Sequence, residues 1–241
     1  MISPSLFATF MATVGSSAAY GLPPVVAAGG QITARALCNG TVSLNTTVGS
    51  YVVQENETMP EIAAKVNRGV CDIARANRMA DAMMLYTDEE LIIPAQVCDP
   101  DNDTCLVPNT TTTNTCVNGG PHTYTTFLGD TIQYIAQKFN LTLDTVTAVA
   151  DRLSSDPYAE IEAGQSLKLP MCSPSQCTLQ PYRFTYGTYA DLAKNYSTTV
   201  GQIMAYNAGY NKSTATTTDE SPAIAVPMNC TALSDTITVM S

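Results

Sequence analysis

The chain writes one helix start three times: TMPEIAAKVN at 58–67, TIQYIAQKFN at 131–140 and TYADLAKNYS at 188–197. Aligned on Ala63, Ala136 and Ala193, the copies keep an apolar register without a gap. Val66, Phe139 and Tyr196 correspond, then Val70, Leu143 and Val200, then Ile73, Val146 and Ile203, and finally Asn77, Ala150 and Asn207. A repeat of this kind restricts the fold to a row of small, similar units.

Each copy reads as strand, helix, helix, strand. The opening strand alternates, through Tyr51 and Val53, Tyr124 and Thr126, and Tyr182 and Phe184. Thr58, Thr131 and Thr188 then stand where a hydroxyl can cap the first turn, and Glu61 completes a capping box in the first copy. Thr142 and Thr199 are placed to start a second helix. The closing strands LIIP, LKLP and AIAVP each end on a proline, which stops ladder pairing. A unit of about 45–50 residues is near the lower limit for a self-sufficient core, where disulfides usually assist.

The chain carries eight cysteines: Cys38, Cys71, Cys98, Cys105, Cys116, Cys172, Cys177 and Cys230. Cys38, Cys116 and Cys177 precede opening strands, and Cys98, Cys172 and Cys230 follow closing ones, as staples at unit edges would. An even count behind a secretory segment predicts a disulfide framework. That segment is 1–28, apolar and ending in small residues, with cleavage expected at about 19–28. The competing reading is a buried N-terminal helix, and a short pro-segment ending near Arg35 is an option. Sequons at Asn39, Asn45, Asn56, Asn102, Asn109, Asn140, Asn195, Asn211 and Asn229 add the expectation of a glycosylated, extracellular product.

A net charge of −10 with few basic residues argues against nucleic acid and against an anionic membrane surface. Past 1–28, no run approaches the roughly 18 apolar residues of a membrane span. The single histidine, His122, and the absence of any CxxC pair give no metal set, and no cofactor is expected.

The pattern Tyr-x-x-x-x-Gly-Asp-Thr-Ile-x-x-Ile-Ala from Tyr124 to Ala136 resembles the start of a LysM domain, and the three-copy, cysteine-rich layout is similar to secreted LysM effectors of plant-pathogenic fungi. The resemblance implies an α+β fold of three βααβ modules, each with two helices on a two-stranded antiparallel sheet. It implies a ligand built of N-acetylglucosamine, chitin or, in bacterial relatives, peptidoglycan, held between the first strand–helix loop and the second helix–strand loop. By position, the first loop is Asn56, Glu57, Thr58 and Met59 in copy one, Gly129, Asp130, Thr131 and Ile132 in copy two, and Gly187, Thr188 and Tyr189 in copy three. The second is Asn77, Arg78, Met79, Ala80 and Asp81, then Asp151, Arg152, Leu153 and Ser154, then Asn207, Ala208, Gly209, Tyr210 and Asn211. Main-chain groups would meet the acetamido donor and acceptor. Met59, Ile132, Tyr189 or Tyr210 would pack on its methyl or the sugar face. The copies depart from one another. Asn56 and Glu57 replace Gly-Asp and head a sequon, the third copy lacks the acid, and Ala150 replaces the asparagine of the other two.

The expected organisation is a signal at 1–28, an N-terminal segment at 29–50, LysM1 at 51–98, a Thr/Asn-rich linker at 99–121, LysM2 at 122–172, a short linker at 173–181, LysM3 at 182–230 and a tail at 231–241. The long linker is expected to be extended and to let copy one swing, and the short one to hold copies two and three close. That asymmetry, with the resemblance, permits copies one and three to share one sugar chain in a composite groove. Alternatively, different molecules share one polymer and self-associate on it.

Catalysis is not expected. Glu89 with Glu90, and Asp219 with Glu220, are adjacent acids whose side chains point apart, unlike a glycosidase pair, and no second histidine serves a nucleophile. The uses expected of a chitin binder are to sequester fragments from host receptors or to shield hyphal walls from chitinases. The alternative is a structural, glycosylated wall or matrix protein.

Overall fold

The computed structural model describes residues 49–109, 111–210 and 223–240. The expected signal, most of the N-terminal segment, Cys38 and the sequons at Asn39, Asn45 and Asn211 lie outside the described residues.

Three βααβ modules follow one another. The first is β1 (Gly49–Val52), α1 (Met59–Val66), α2 (Val70–Ala76) and β2 (Glu90–Ile93). After β3 (Val117–Asn118) comes the second: β4 (Thr123–Thr125), α3 (Ile132–Phe139), α4 (Leu143–Ala150) and β5 (Ser166–Lys168). After β6 (Met171–Ser173), β7 (Ser175–Arg183), α5 (Tyr189–Tyr196), α6 (Val200–Tyr206) and β8 (Ala223–Ala232) make the third, and β9 (Thr238–Met240) ends the chain's described part. In each module the two strands pair antiparallel, Tyr51 opposite Leu91, Tyr124 opposite Leu167 and Tyr182 opposite Ile224.

The helix starts follow from their capping residues. Thr131 and Thr188 accept the amides of Tyr134 and Asp191 at 3.0 and 3.3 Å. Glu61 and Asp191 reach back to the amides of Thr58 and Thr188 at 3.0 and 2.9 Å. The first helix of each module stops on a left-handed residue, Asn67, Asn140 or Ser197, with φ of 54°, 53° and 50°. Asparagine tolerates that conformation best among residues with a Cβ.

The modules are not beads on a string. The second and third share one core, in which Tyr124, Phe139, Phe184, Tyr189 and Ile203 are buried together. Gly201 permits this, since a Cβ there would meet Phe139 Cδ2 at 2.3 Å. The first module keeps its own core around Met59, Ile62, Ile73 and Leu91, but sends Ala80 and Met84 into the shared one.

The disulfides are Cys71–Cys105, Cys116–Cys172 and Cys177–Cys230. The last two bracket the second and third modules, as edge staples should. Cys98 is exposed and has no sulfur partner among the described residues, whose other six cysteines pair with one another; Cys38, the eighth, lies outside them.

The long linker also departs from expectation. It folds back at its start instead of running extended. Cys71 N donates to Asp101 O at 2.8 Å, Val70 N to Asn102 Oδ1 at 3.1 Å, and the Cys71–Cys105 bond fixes the return. The reason is that α2 starts with free amides that this segment satisfies. The short linker is absorbed into β7, and the tail adds β9 to β6 in a three-stranded sheet, β3-β6-β9.

Candidate functional site

The first loop of each module is shaped from below. Asp130 accepts from Tyr124 Oη and Phe127 N, both at 2.8 Å, and pairs with Lys138 Nζ at 2.7 Å. It is fully buried, so its carboxylate ties the loop and does not line its outer edge. Glu57 repeats the arrangement with Tyr51 Oη at 2.7 Å, Gln54 N at 2.8 Å and Lys65. Lys65, then the Gln54 amide, then Tyr51 hold the Glu57 carboxyl down to about 2. The third module has Gly187 at the acid's position, and Asp191 ties its loop through the cap instead. Asn56 and Gly129 match by position and share a left-handed conformation, φ 62° and 78°.

Met59, Ile132 and Tyr189 do not present their side chains to a ligand. Each is the first residue of its helix and is 0% exposed, packed in a module core. The expectation that they pack on a sugar face gives way to a core role, because a side chain at the helix start points back over the loop into the module. Asn56, Thr58 and Gly129 are exposed, Glu57 and Thr131 half-buried, and Gly187 and Thr188 buried.

The second loop begins at a clamp. Asn77 Nδ2 donates to Ile73 O and Ile92 O at 2.8 and 2.7 Å, while its Oδ1 accepts from Ile92 N at 2.7 Å. Asn207 makes the same three bonds to Ile203 O, Ala225 O and Ala225 N, at 2.7, 2.7 and 2.8 Å. These amides join the second helix to the closing strand. In the second module Ala150 is buried without such a clamp. Beyond the clamp, Met79, Ala80 and Asp81 are buried and Arg78 is half-buried. Asp151, Arg152, Ala208 and Gly209 are exposed, Leu153, Ser154 and Tyr210 half-buried, and Asn211 lies outside the described residues.

Two of the modules turn their loops toward each other. Arg75, at the end of α2, donates Nε and Nη2 to Asp191 Oδ2 and Oδ1 at 3.0 and 2.8 Å. Asp101 and Thr104 hold the same guanidinium at 2.8 Å each. Gly187 N donates to Arg75 O at 3.2 Å, and Tyr210 Oη to Arg78 O at 2.7 Å. Tyr210 itself stacks on Tyr189, ring centroids 5.9 Å apart. So both loops of the third module bond to residues 75–78 of the first.

The LysM domain family matches residues 51–94 and 124–170. The chain is 45% identical over 197 residues to Secreted LysM effector LysM13 of Penicillium expansum, a match covering 81% of this chain and 85% of that protein. It is 38% identical over 165 residues to Secreted LysM effector ECP6 of Passalora fulva, covering 68% and 72%. It is 34% identical over 120 residues to Secreted LysM effector ELP2 of Colletotrichum higginsianum, covering 50% and 65%. This chain belongs to the secreted LysM effectors.

In this LysM effector the third module lies outside the two matched stretches, yet its strand, helix and clamp arrangement repeats that of the first. LysM2 leaves parts of both loops open to solvent: Gly129, Asp151 and Arg152 are exposed. Beside its first loop, Leu128 is 50% exposed, and Tyr158, 62% exposed, follows Pro157, whose carbonyl accepts Gln133 N at 3.0 Å. Sequence reasoning missed both, although an apolar residue directly before the loop glycine was a readable signal for Leu128. It also missed Arg75, Asp191, Tyr134 and Lys138, whose contacts between modules join residues 53 or more positions apart. A cavity of about 830 Å³ lies between Leu106, Asn109, Gln137 and Lys194 and is lined by none of the expected loop residues.

Proposed function

We propose that this effector binds N-acetylglucosamine oligomers, the repeating chemistry of chitin, without making or breaking a covalent bond. LysM1 and LysM3 take one sugar chain between their facing loops, and LysM2 offers a second, outward site at Gly129–Thr131 and Asp151–Ser154. The observation that carries this reading is the pairing of Gly187 N with Arg75 O and of Tyr210 Oη with Arg78 O, which brings both LysM3 loops to the second loop of LysM1.

The chemistry suits an acetylated amino sugar. The first loops turn Asp130 and the side chains of Met59, Ile132 and Tyr189 inward, so much of what the loops offer outward is main chain, with Asn56, Thr58, Asp151 and Arg152 beside it. An acetamido group brings one donor and one acceptor to such a surface. Two facing sites within one chain raise the effective concentration of the second to about the millimolar range or above. Enclosing the sugar from two sides also removes more water than a single shallow groove.

Two uses follow from tight, non-catalytic binding: chitin fragments are withdrawn from host receptors, and chitin in the hyphal wall is covered against chitinases. The outward LysM2 site lets several molecules share one long polymer. Calorimetric titration of the secreted protein with N-acetylglucosamine oligomers of increasing length tests the reading. The expected result is one tight class at one oligomer per protein and one weaker class. Absence of heat with every oligomer sinks it.

A further inference from the structure

The Arg78–Asp81 loop of LysM1 is held at both ends by other modules. At Arg78 the carbonyl accepts from Tyr210 of LysM3. At Asp81 the carboxylate is held by LysM2: Tyr134 Oη lies 2.7 and 2.9 Å from its two oxygens, and Lys138 Nζ lies 3.4 Å from Oδ2. The Lys138 side chain is 1% exposed, Asp81 3% and Asp130 0%.

Lys65 and Lys138 occupy the same position in LysM1 and LysM2, and each pairs with the acid of its own first loop, Glu57 or Asp130. Lys65 is 55% exposed and, among the described residues, pairs within its own module. Lys138 is covered, because Asp81 of LysM1 sits on it, and its ammonium lies 4.5 Å from the Tyr134 ring centroid. Burial, then the charge of Asp81, raises the Tyr134 hydroxyl far above its ordinary range, so it stays a proton donor to that carboxylate. Asp81 in turn receives Met83 N on its Oδ1 at 3.0 Å and Met84 N on its carbonyl at 3.2 Å. The anchor therefore orders the main chain just past the second loop.

We propose that Tyr134 and Lys138 of LysM2 are positioning residues for the groove between LysM1 and LysM3: they fix the Arg78–Asp81 loop in the geometry that faces LysM3, although they belong to the module outside that groove. This rests on the composite-groove reading above. Its consequence is that LysM2 has two separable tasks, one through its outward loops and one through α3. A loop already ordered before the sugar arrives loses less entropy on binding.

The test uses the full secreted chain and two readouts, calorimetry with the N-acetylglucosamine hexamer and amide hydrogen exchange. Tyr134→Phe is the primary variant, because it removes one hydroxyl and leaves Lys138 paired with Asp130. Its tight class is expected to weaken about tenfold, the worth of a hydrogen bond to a charged group. Its weak class should stay within about twofold of wild type. The Met83 and Met84 amides should exchange about tenfold faster, although the substituted residue is in another module. Lys138→Met should weaken the tight class further and also disturb LysM2's own first loop. If Tyr134→Phe keeps the tight class within about twofold of wild type, the positioning role is overturned while sugar binding stands. Wild-type protein giving no heat with the hexamer overturns the functional reading, and this proposal with it.

Discussion

Arg75 of LysM1 meets Asp191 of LysM3 in a two-bond, side-by-side pair, Nε to Oδ2 at 3.0 Å and Nη2 to Oδ1 at 2.8 Å. Asp191 is also the capping-box acid of α5, so one carboxylate serves both a helix start and a module contact. Planar guanidinium against planar carboxylate fixes orientation as well as distance. The pair is therefore a hinge pin between the two modules whose loops face each other.

Replacing Arg75 with Met leaves Asp101 and Asp191 without their shared cation. The Arg75 side chain is mostly buried, at 14% exposed. Breaking such a pair costs about 2–3 kcal/mol, less than a fully buried pair would. Guanidinium chloride unfolding should show that loss, and calorimetry with N-acetylglucosamine oligomers should show the tight class weakened. Unchanged stability would mean the pair is a surface contact of no consequence.

Acid should loosen the same hub. Burial opposes ionisation of Asp101, but bonds from Thr104 and Arg75 outweigh it and hold the carboxyl well below its ordinary 3.8. A depressed folded value means the stabilisation is complete above the unfolded value, about pH 4, and drains away as pH falls below it. Melting temperature followed from about pH 5 to about pH 2 should fall for the wild type. Asp101→Asn should be less stable at pH 5 and show a flatter profile.

The asparagine clamp is testable in LysM3. Asn207→Ala removes three bonds and leaves Ala225 N and two carbonyls to find new partners. The expected cost is about 2–3 kcal/mol in unfolding free energy. Faster exchange at the Ala225 amide should accompany it. A ligand-contact role for Asn207 would instead change oligomer affinity with little change in stability.

The close approach of LysM2 and LysM3 depends on the missing Cβ of Gly201. Gly201→Ala places a methyl 2.3 Å from Phe139 Cδ2, and the shared core has no slack around it. The variant should lose about 1–3 kcal/mol. Adding Phe139→Leu to it should recover part of that loss, whereas Phe139→Leu alone should destabilise. If Gly201→Ala is neutral, the two helices are less tightly packed than described.

Local chemistry was readable in the residues. The caps at Thr131, Thr188, Thr142 and Thr199, the alternating opening strands and the closing strands all appear where the repeat puts them, because hydrogen bonds within a turn and burial within a module depend on near neighbours. The same reading misjudged Met59, Ile132 and Tyr189, which fill cores instead of facing outward. It also treated Asn77 and Asn207 as loop groups, when both spend their amides on the closing strand. Position in a motif says which loop a residue belongs to, but not which way its side chain turns.

The sequence by itself determined the unit, its threefold use and its family, since periodicity, caps and turn residues act over a few positions and survive in any arrangement of the modules. The tertiary structure alone decided how the modules meet. Lys65 and Lys138 share a position and an intramodule partner, yet one is exposed and the other is buried against Asp81 of another module. The shared position does not by itself distinguish those fates: Tyr134, which stands where LysM1 has Glu61, draws Asp81 over Lys138 only once the modules meet. The choice comes from long-range packing, in which Gly201 brings LysM3 onto Phe139, the Cys71–Cys105 return folds the linker onto α2, and the Arg75–Asp191 pair orients LysM1.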